Sequence, residues 1–148
     1  MNYAAIKKVV RICSHMMAAY SRELDFSPHT FTETYILITI GLHPGIIAGE
    51  ISGQFNLDKG YLSRVLKKLE EEGLICRQAS SRTAGAKELY VTVEGRKRLR
   101  ELETRADRGI EMHVQELSVK ERKEFSDQME KTARTLEKIY PDEFYHRC

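Results

Sequence analysis

The chain has 148 residues, 24 Lys and Arg against 22 Asp and Glu for a net charge of +2, and a 41% hydrophobic, 31% charged composition, enough for one domain with a core of its own. The longest apolar run, YILITIGL at 35 to 42, is broken by Thr39 and Gly41 and falls far short of the roughly 20 residues a bilayer needs, which excludes a membrane span. Cys13, Cys76 and Cys148 form no C-x-x-C pair and the five histidines are scattered, so no disulfide framework, zinc module or other cofactor is expected.

Residues 3 to 24 read as a helix, with Ile6, Val9, Val10, Cys13, Met16, Met17 and Tyr20 on one broad face. Lysines inside its apolar pattern and the lack of a cleavage-site signature mark it as mature structure in a cytoplasmic protein. Pro28 disfavours helix for the residue before it and ends this element. A second helix is expected from about 32 to 40 with Thr32 as its cap, and a third from about 46 to 55 with Ile47, Ile51 and Phe55 on one side. Asn56 tolerates the tight turn that follows.

The next stretch, LDKGYLSRVLKKLEEEGLI at 57 to 75, predicts a helix over 58 to 72 with Leu62, Val65, Leu66 and Leu69 as its buried stripe. Asp58 is placed to cap it, and Gly73 to supply the left-handed residue that stops it. The side opposite the stripe holds Gly60, Ser63, Arg64 and Lys67, with Tyr61 and Lys68 on the flank, and the acids Glu70 to Glu72 wait for the last turn. Helix electrostatics favours acids first and bases last, so much of this order is reversed. Two readings stay open: a solvated face, or a face built for a partner.

After Gly73 the period changes. LICRQA and KELYVTV read as two strands of a hairpin around the loop SSRTAG, which bears Arg82. Thr92 can cap a helix over 93 to 114 with Leu99, Leu102 and Ala106 on one side. Ser118 and Glu121 form a capping box opening a last helix over 119 to 140, whose inner face is Phe125, Met129, Thr132, Leu136 and Ile139. The first and the last two helices are long and amphipathic, and a lone chain gives their stripes too few partners unless they fold over the central unit. A dimer supplies those partners. Charge concentrates centrally: residues 57 to 100 hold 11 Lys and Arg against 6 acids, whereas residues 101 to 148 hold 9 against 12.

This order of elements resembles the MarR family of winged helix-turn-helix regulators. The residues that carry the resemblance are LDKGYLSRVLKKLEEEGLICR at 57 to 77, LYVTVEGRKRL at 89 to 99 and ELSVKERKEF at 116 to 125. They are similar to the family's recognition helix, its second wing strand leading into the next helix, and the start of its last helix. The implied fold is mainly α with a small β-hairpin wing, divided into a winged helix-turn-helix region over 31 to 97 and a helical dimerisation region over 1 to 30 and 98 to 148.

The resemblance implies a homodimer that binds a pseudo-palindrome in double-stranded DNA, most often a repressor released by a small aromatic ligand. Arg64 takes the leading base-reading role, since a guanidinium matches guanine O6 and N7. Lys59, Gly60, Tyr61, Ser63 and Lys67 supply phosphate contacts, register and close approach, and Arg82 with Lys87 serves the wing. The family's wing tip usually carries an acid that steadies its arginine, and SSRTAGAK has none.

His15, Met16, Tyr20 and Tyr35 are candidate ligand-lining residues, with plain core as the competing reading of such a stripe. Cys13 is a candidate redox residue, flanked in sequence by Arg11 and His15, against a buried structural cysteine. No phosphate loop, nucleophile elbow or paired-carboxylate site points to an enzyme. The rival function is a winged-helix scaffold or antagonist that contacts proteins and leaves DNA alone.

Overall fold

The computed structural model describes residues 1–23 and 26–139, with the side chains of 17–23 outside the description. The elements are α1 (Tyr3–Glu23), α2 (Phe31–Leu42), β1 (Ile46–Ile47), α3 (Ala48–Phe55), α4 (Lys59–Glu71), β2 (Ile75–Ala79), β3 (Lys87–Val91), α5 (Val93–Val114) and α6 (Val119–Ile139). The expected ends at Leu24 and Tyr140 lie outside the described residues. No described helix is long and apolar enough to cross a membrane.

α2 runs to Leu42, two residues past its expected end, and two helix starts also differ from the sequence reading. The cap of α2 is Thr30 rather than Thr32: its hydroxyl accepts from Glu33 N–H at 3.2 Å while Glu33 accepts from Thr30 N–H at 2.8 Å, a complete capping box. The expected helix over 46 to 55 begins only at Ala48, because Ile46 and Ile47 form a short strand. Gly45, at φ 87°, turns the chain so that its N–H reaches Leu89 O at 2.9 Å, and Ile46 then pairs with Leu89. The hairpin is thereby a three-stranded antiparallel sheet in the order β1-β3-β2.

The central helix pair is set by local chemistry. Asn56 takes the left-handed conformation after α3, and Asp58 accepts from Tyr61 N–H at 2.8 Å to cap α4. At the far end Gly73 is left-handed, its N–H meeting Glu70 O and Leu74 N–H meeting Leu69 O, both at 2.9 Å. That pair of hydrogen bonds closes the helix and satisfies two of its orphan carbonyls. Leu74 O then accepts from Thr92 N–H at 3.0 Å, which brings the start of α5 against the end of α4.

All four residues of the α4 stripe are buried, packed with Ile36, Leu37 and Ile40 of α2, Ile46, Ile51, Ile75 and Leu89. This core lies under the helix-turn-helix and the sheet. α5 adds Leu102, with Leu99 partly buried. The expected Thr92 cap and the capping box at Ser118 with Glu121 are both present.

The outer helices differ. Every residue from Tyr3 to Met16 is exposed, and α6 has no buried residue. Ile6, Val9 and Met16 are nearly half exposed, and Phe125, Met129 and Leu136 are 37%, 42% and 48% exposed. On each of these helices the apolar residues recur at helical spacing and stand without cover among the described residues.

Candidate nucleic-acid interface

The N-terminal half of α4 presents Lys59, Gly60, Ser63 and Arg64 to solvent, with Tyr61 half-buried. Neither Lys59 nor Arg64 has an acidic partner among the described residues. A Cβ built on Gly60 would stand 3.1 Å from Asp58 Oδ1 and 3.8 Å from Arg64 Nη1, so the Arg64 guanidinium reaches back along the helix over an open first turn.

The acids at the end of α4 are each spoken for. Glu70 pairs with Arg77 of β2 at 2.9 Å, Glu71 with Lys67 at 3.6 Å, and Glu72 with the ring of His29 at 2.5 Å. Lys68 reaches Glu33 at 2.9 Å. The polar residues of the C-terminal half therefore fasten α4 to the sheet and to the start of α2, which accounts for the reversed charge order. Lys67 and Glu71 are both well exposed, so that pair contributes only about 0.3–0.5 kcal/mol and yields readily to another anion.

Glu33 joins two elements: it accepts from Thr30 N–H and from Lys68 Nζ. Burial pushes its carboxyl up, but the Thr30 and Lys68 hydrogen bonds and the Lys68 charge outweigh that and hold it below its ordinary value. A depressed carboxylate stabilises the fold above its unfolded pKa, and that contribution fades as pH falls through the folded one. Glu33→Gln is expected to flatten the acid limb of stability against pH while leaving the neutral-pH fold in place. Urea unfolding between pH 7 and 3 checks this; an unchanged acid limb would show that Glu33 carries none of it.

The wing places Arg82 and Lys87 differently. Lys87 is exposed at the first position of β3 and forms no ion pair among the described residues. Arg82 is turned back onto the wing root, where Nε lies 3.3 Å from Glu88 Oε1 and Nη2 donates to Gly45 O. Glu88 also accepts from Tyr90 Oη at 2.6 Å and Ser80 Oγ at 2.9 Å. Tyr90 first, then Ser80 and Arg82, holds the Glu88 carboxyl below its ordinary value, while Glu88 raises the Tyr90 phenol. The acid missing from the tip is thus supplied by the strand.

A cleft of about 260 Å³ opens between α2 and α5, lined by Phe26, Tyr35, Ile38, Leu42, Leu99 and Leu102 among others. Phe31 lies edge-on to Phe26 and tilted against Tyr35, with ring centroids 5.6 and 4.4 Å away. Thr34 lines the same cleft, and its buried hydroxyl has no hydrogen-bond partner among the described residues. Of the ligand-lining candidates only Tyr35 is found there; His15 and Met16 lie exposed on α1, and the Tyr20 side chain is outside the described residues. The sequence signal for the rest was the pairing of Leu99 and Leu102 on one face of the following helix.

Cys13 is exposed rather than buried. Residues two apart on a helix point to opposite sides, so α1 turns Arg11 and His15 away from it. Cys76 is partly exposed, and Cys148 lies outside the described residues.

Residues 30–82 match the model of the MarR family. A comparison with curated proteins gave no match. Among solved structures, one described as MarR is 26% identical over 88% of this chain and 96% of its own, with a TM-score of 0.67. The transcriptional regulator Tm0710 from Thermotoga maritima is 19% identical over 94% of this chain and 99% of its own, at 0.75. Streptococcus pneumoniae FabT, solved in complex with DNA, is 20% identical over 93% and 99%, at 0.63. The matched segment holds the whole helix-turn-helix through Arg82, and the fold agrees from α1 to α6: residues 30–82 match a MarR-family domain, and the chain has the winged helix-turn-helix fold of these regulators.

Proposed function

We propose that the chain is a dimeric, sequence-specific DNA-binding transcriptional regulator, a repressor released by a small ligand. The observation that carries the reading is the N-terminal half of α4, where Lys59, Ser63 and Arg64 are exposed without acidic partners among the described residues, while Glu70 and Glu72 are engaged by Arg77 and His29 and Glu71 by Lys67. Such a surface suits the major groove: Arg64 reads a guanine, Lys59, Tyr61, Ser63 and Lys67 fix register on phosphates and neighbouring base edges, and Gly60 keeps the first turn thin. Residues 31 to 97, with Arg82 and Lys87 in the wing, form the DNA-binding region. A related fold solved with DNA supports this.

Dimerisation through residues 1 to 30 and 98 to 148 is supported by the uncovered apolar faces of α1 and α6. A twofold pair would set two α4 helices in successive major grooves and read a pseudo-palindrome. The ligand belongs in the cleft between α2 and α5, where aromatic rings and the unsatisfied Thr34 hydroxyl favour a small aromatic molecule with one polar group. Such a molecule switches the protein only by binding two conformations unequally.

Selection from a random pool of duplex DNA at two salt concentrations tests the reading. A palindrome should be enriched, with affinity falling steeply as salt rises. Lys67→Ala should weaken operator and random DNA alike and lower the salt slope by about 0.9 for each phosphate that is no longer neutralised. A folded dimer that enriches nothing would instead identify a protein-contact scaffold.

A further inference from the structure

Arg82 and Lys87 occupy one wing but stand in opposite situations. The Arg82 guanidinium spends Nε on Glu88 and Nη2 on the Gly45 carbonyl, a residue 37 positions earlier in the chain. The Glu88 side chain is only 11% exposed, and among the described residues Arg82 is the cation paired with it. Drawing Arg82 out to a DNA groove would leave a largely buried carboxylate without its counter-charge, which is costly. The Ser80 hydroxyl, fixed by Glu88, accepts in turn from the N–H groups of Arg82 and Thr83, both at 3.1 Å, so the carboxylate organises the backbone of the wing turn as well. Along β3 successive side chains alternate in direction, which turns Lys87 away from this cluster.

We infer that Glu88 and Arg82 form a clip that positions the wing on the turn before β1, and that Lys87, not Arg82, makes the wing's phosphate contact. The inference rests on the DNA-binding reading above and assigns roles within it. Glu88 and Arg82 are positioning residues; Lys87 touches the nucleic acid. The assignment runs against simple electrostatics, because removing the negative charge of Glu88 near DNA should by itself strengthen binding.

The test is the salt dependence of binding to the selected operator for Arg82→Gln, Lys87→Gln and Glu88→Gln. Lys87→Gln is expected to lower the slope by about 0.9 per phosphate left without its lysine. Arg82→Gln and Glu88→Gln are expected to weaken binding several-fold with the slope unchanged, and to speed amide exchange at Arg82 and Thr83 in the free protein. A slope lowered by Arg82→Gln and not by Lys87→Gln, or tighter binding by Glu88→Gln, overturns the assignment while leaving the regulator reading intact. Arg82→Gln and Lys87→Gln alter exposed side chains and decide the matter even if Glu88→Gln does not fold. Absence of operator binding by the unaltered protein overturns both the regulator reading and this one.

Discussion

Replacing Arg64 with alanine is expected to cost about 1–3 kcal/mol of operator binding and to relax one base position in each half-site. The side chain is exposed, lies over an open first turn beside Gly60, and among the described residues has no acidic partner to release before it engages a base. The buried stripe of α4 and both of its caps are made by other residues, so the fold should be unaffected. Binding measured against the operator, single-base variants and random DNA separates a base reader from a phosphate contact. Equal losses on all of these would demote Arg64 to the role given to Lys67, and no loss at all would move the reading face elsewhere. A lysine in its place keeps the charge but not the two-pronged geometry, so Arg64→Lys should retain nonspecific affinity and lose the base preference.

Replacing Gly95 with alanine is expected to destabilise the chain by about 3 kcal/mol, the upper end of what overpacking usually costs. A Cβ at Gly95 would fall 2.0 Å from Leu74 O and 2.5 Å from Val91 Cγ1, and the nearer of these atoms is backbone. That carbonyl is already held by Thr92 N–H at 3.0 Å, and the Thr92 hydroxyl, whose shorter bond is to Gly73 O, lies 3.2 Å from it, so it cannot move aside without loosening the cap of α5. For a chain of this size, Tm should drop by roughly 6–12 °C, measurable by calorimetry. An unchanged Tm would mean that the junction of α4, β2 and α5 is softer than its geometry indicates. Because this junction sets the wing beside α4, a loosened variant should also bind DNA less tightly at temperatures where it remains folded.

The helices and their ends were legible in the sequence because the interactions that make them are local. The stripe of Leu62, Val65, Leu66 and Leu69, the Asp58 cap, the Gly73 stop and the box at Ser118 and Glu121 all close within one helical turn or a few residues. The Thr30 cap was equally local, since Thr30 and Glu33 already have the spacing of a capping box, and Thr32 was a misreading of that signal. Where contacts span the chain, the tertiary structure decided. Ile46 and Ile47 become a strand only because β3 offers an edge about forty residues later; in isolation their apolar pattern fits a helix equally well. The acids of α4 looked merely held apart from the cations until Arg77 and His29 came within reach. Arg82 looked unsupported because its carboxylate stands on the returning strand and its carbonyl partner in a turn 37 residues away. The cleft likewise needs α2 and α5 side by side, and no periodicity within either helix reveals which residues of the other will face it.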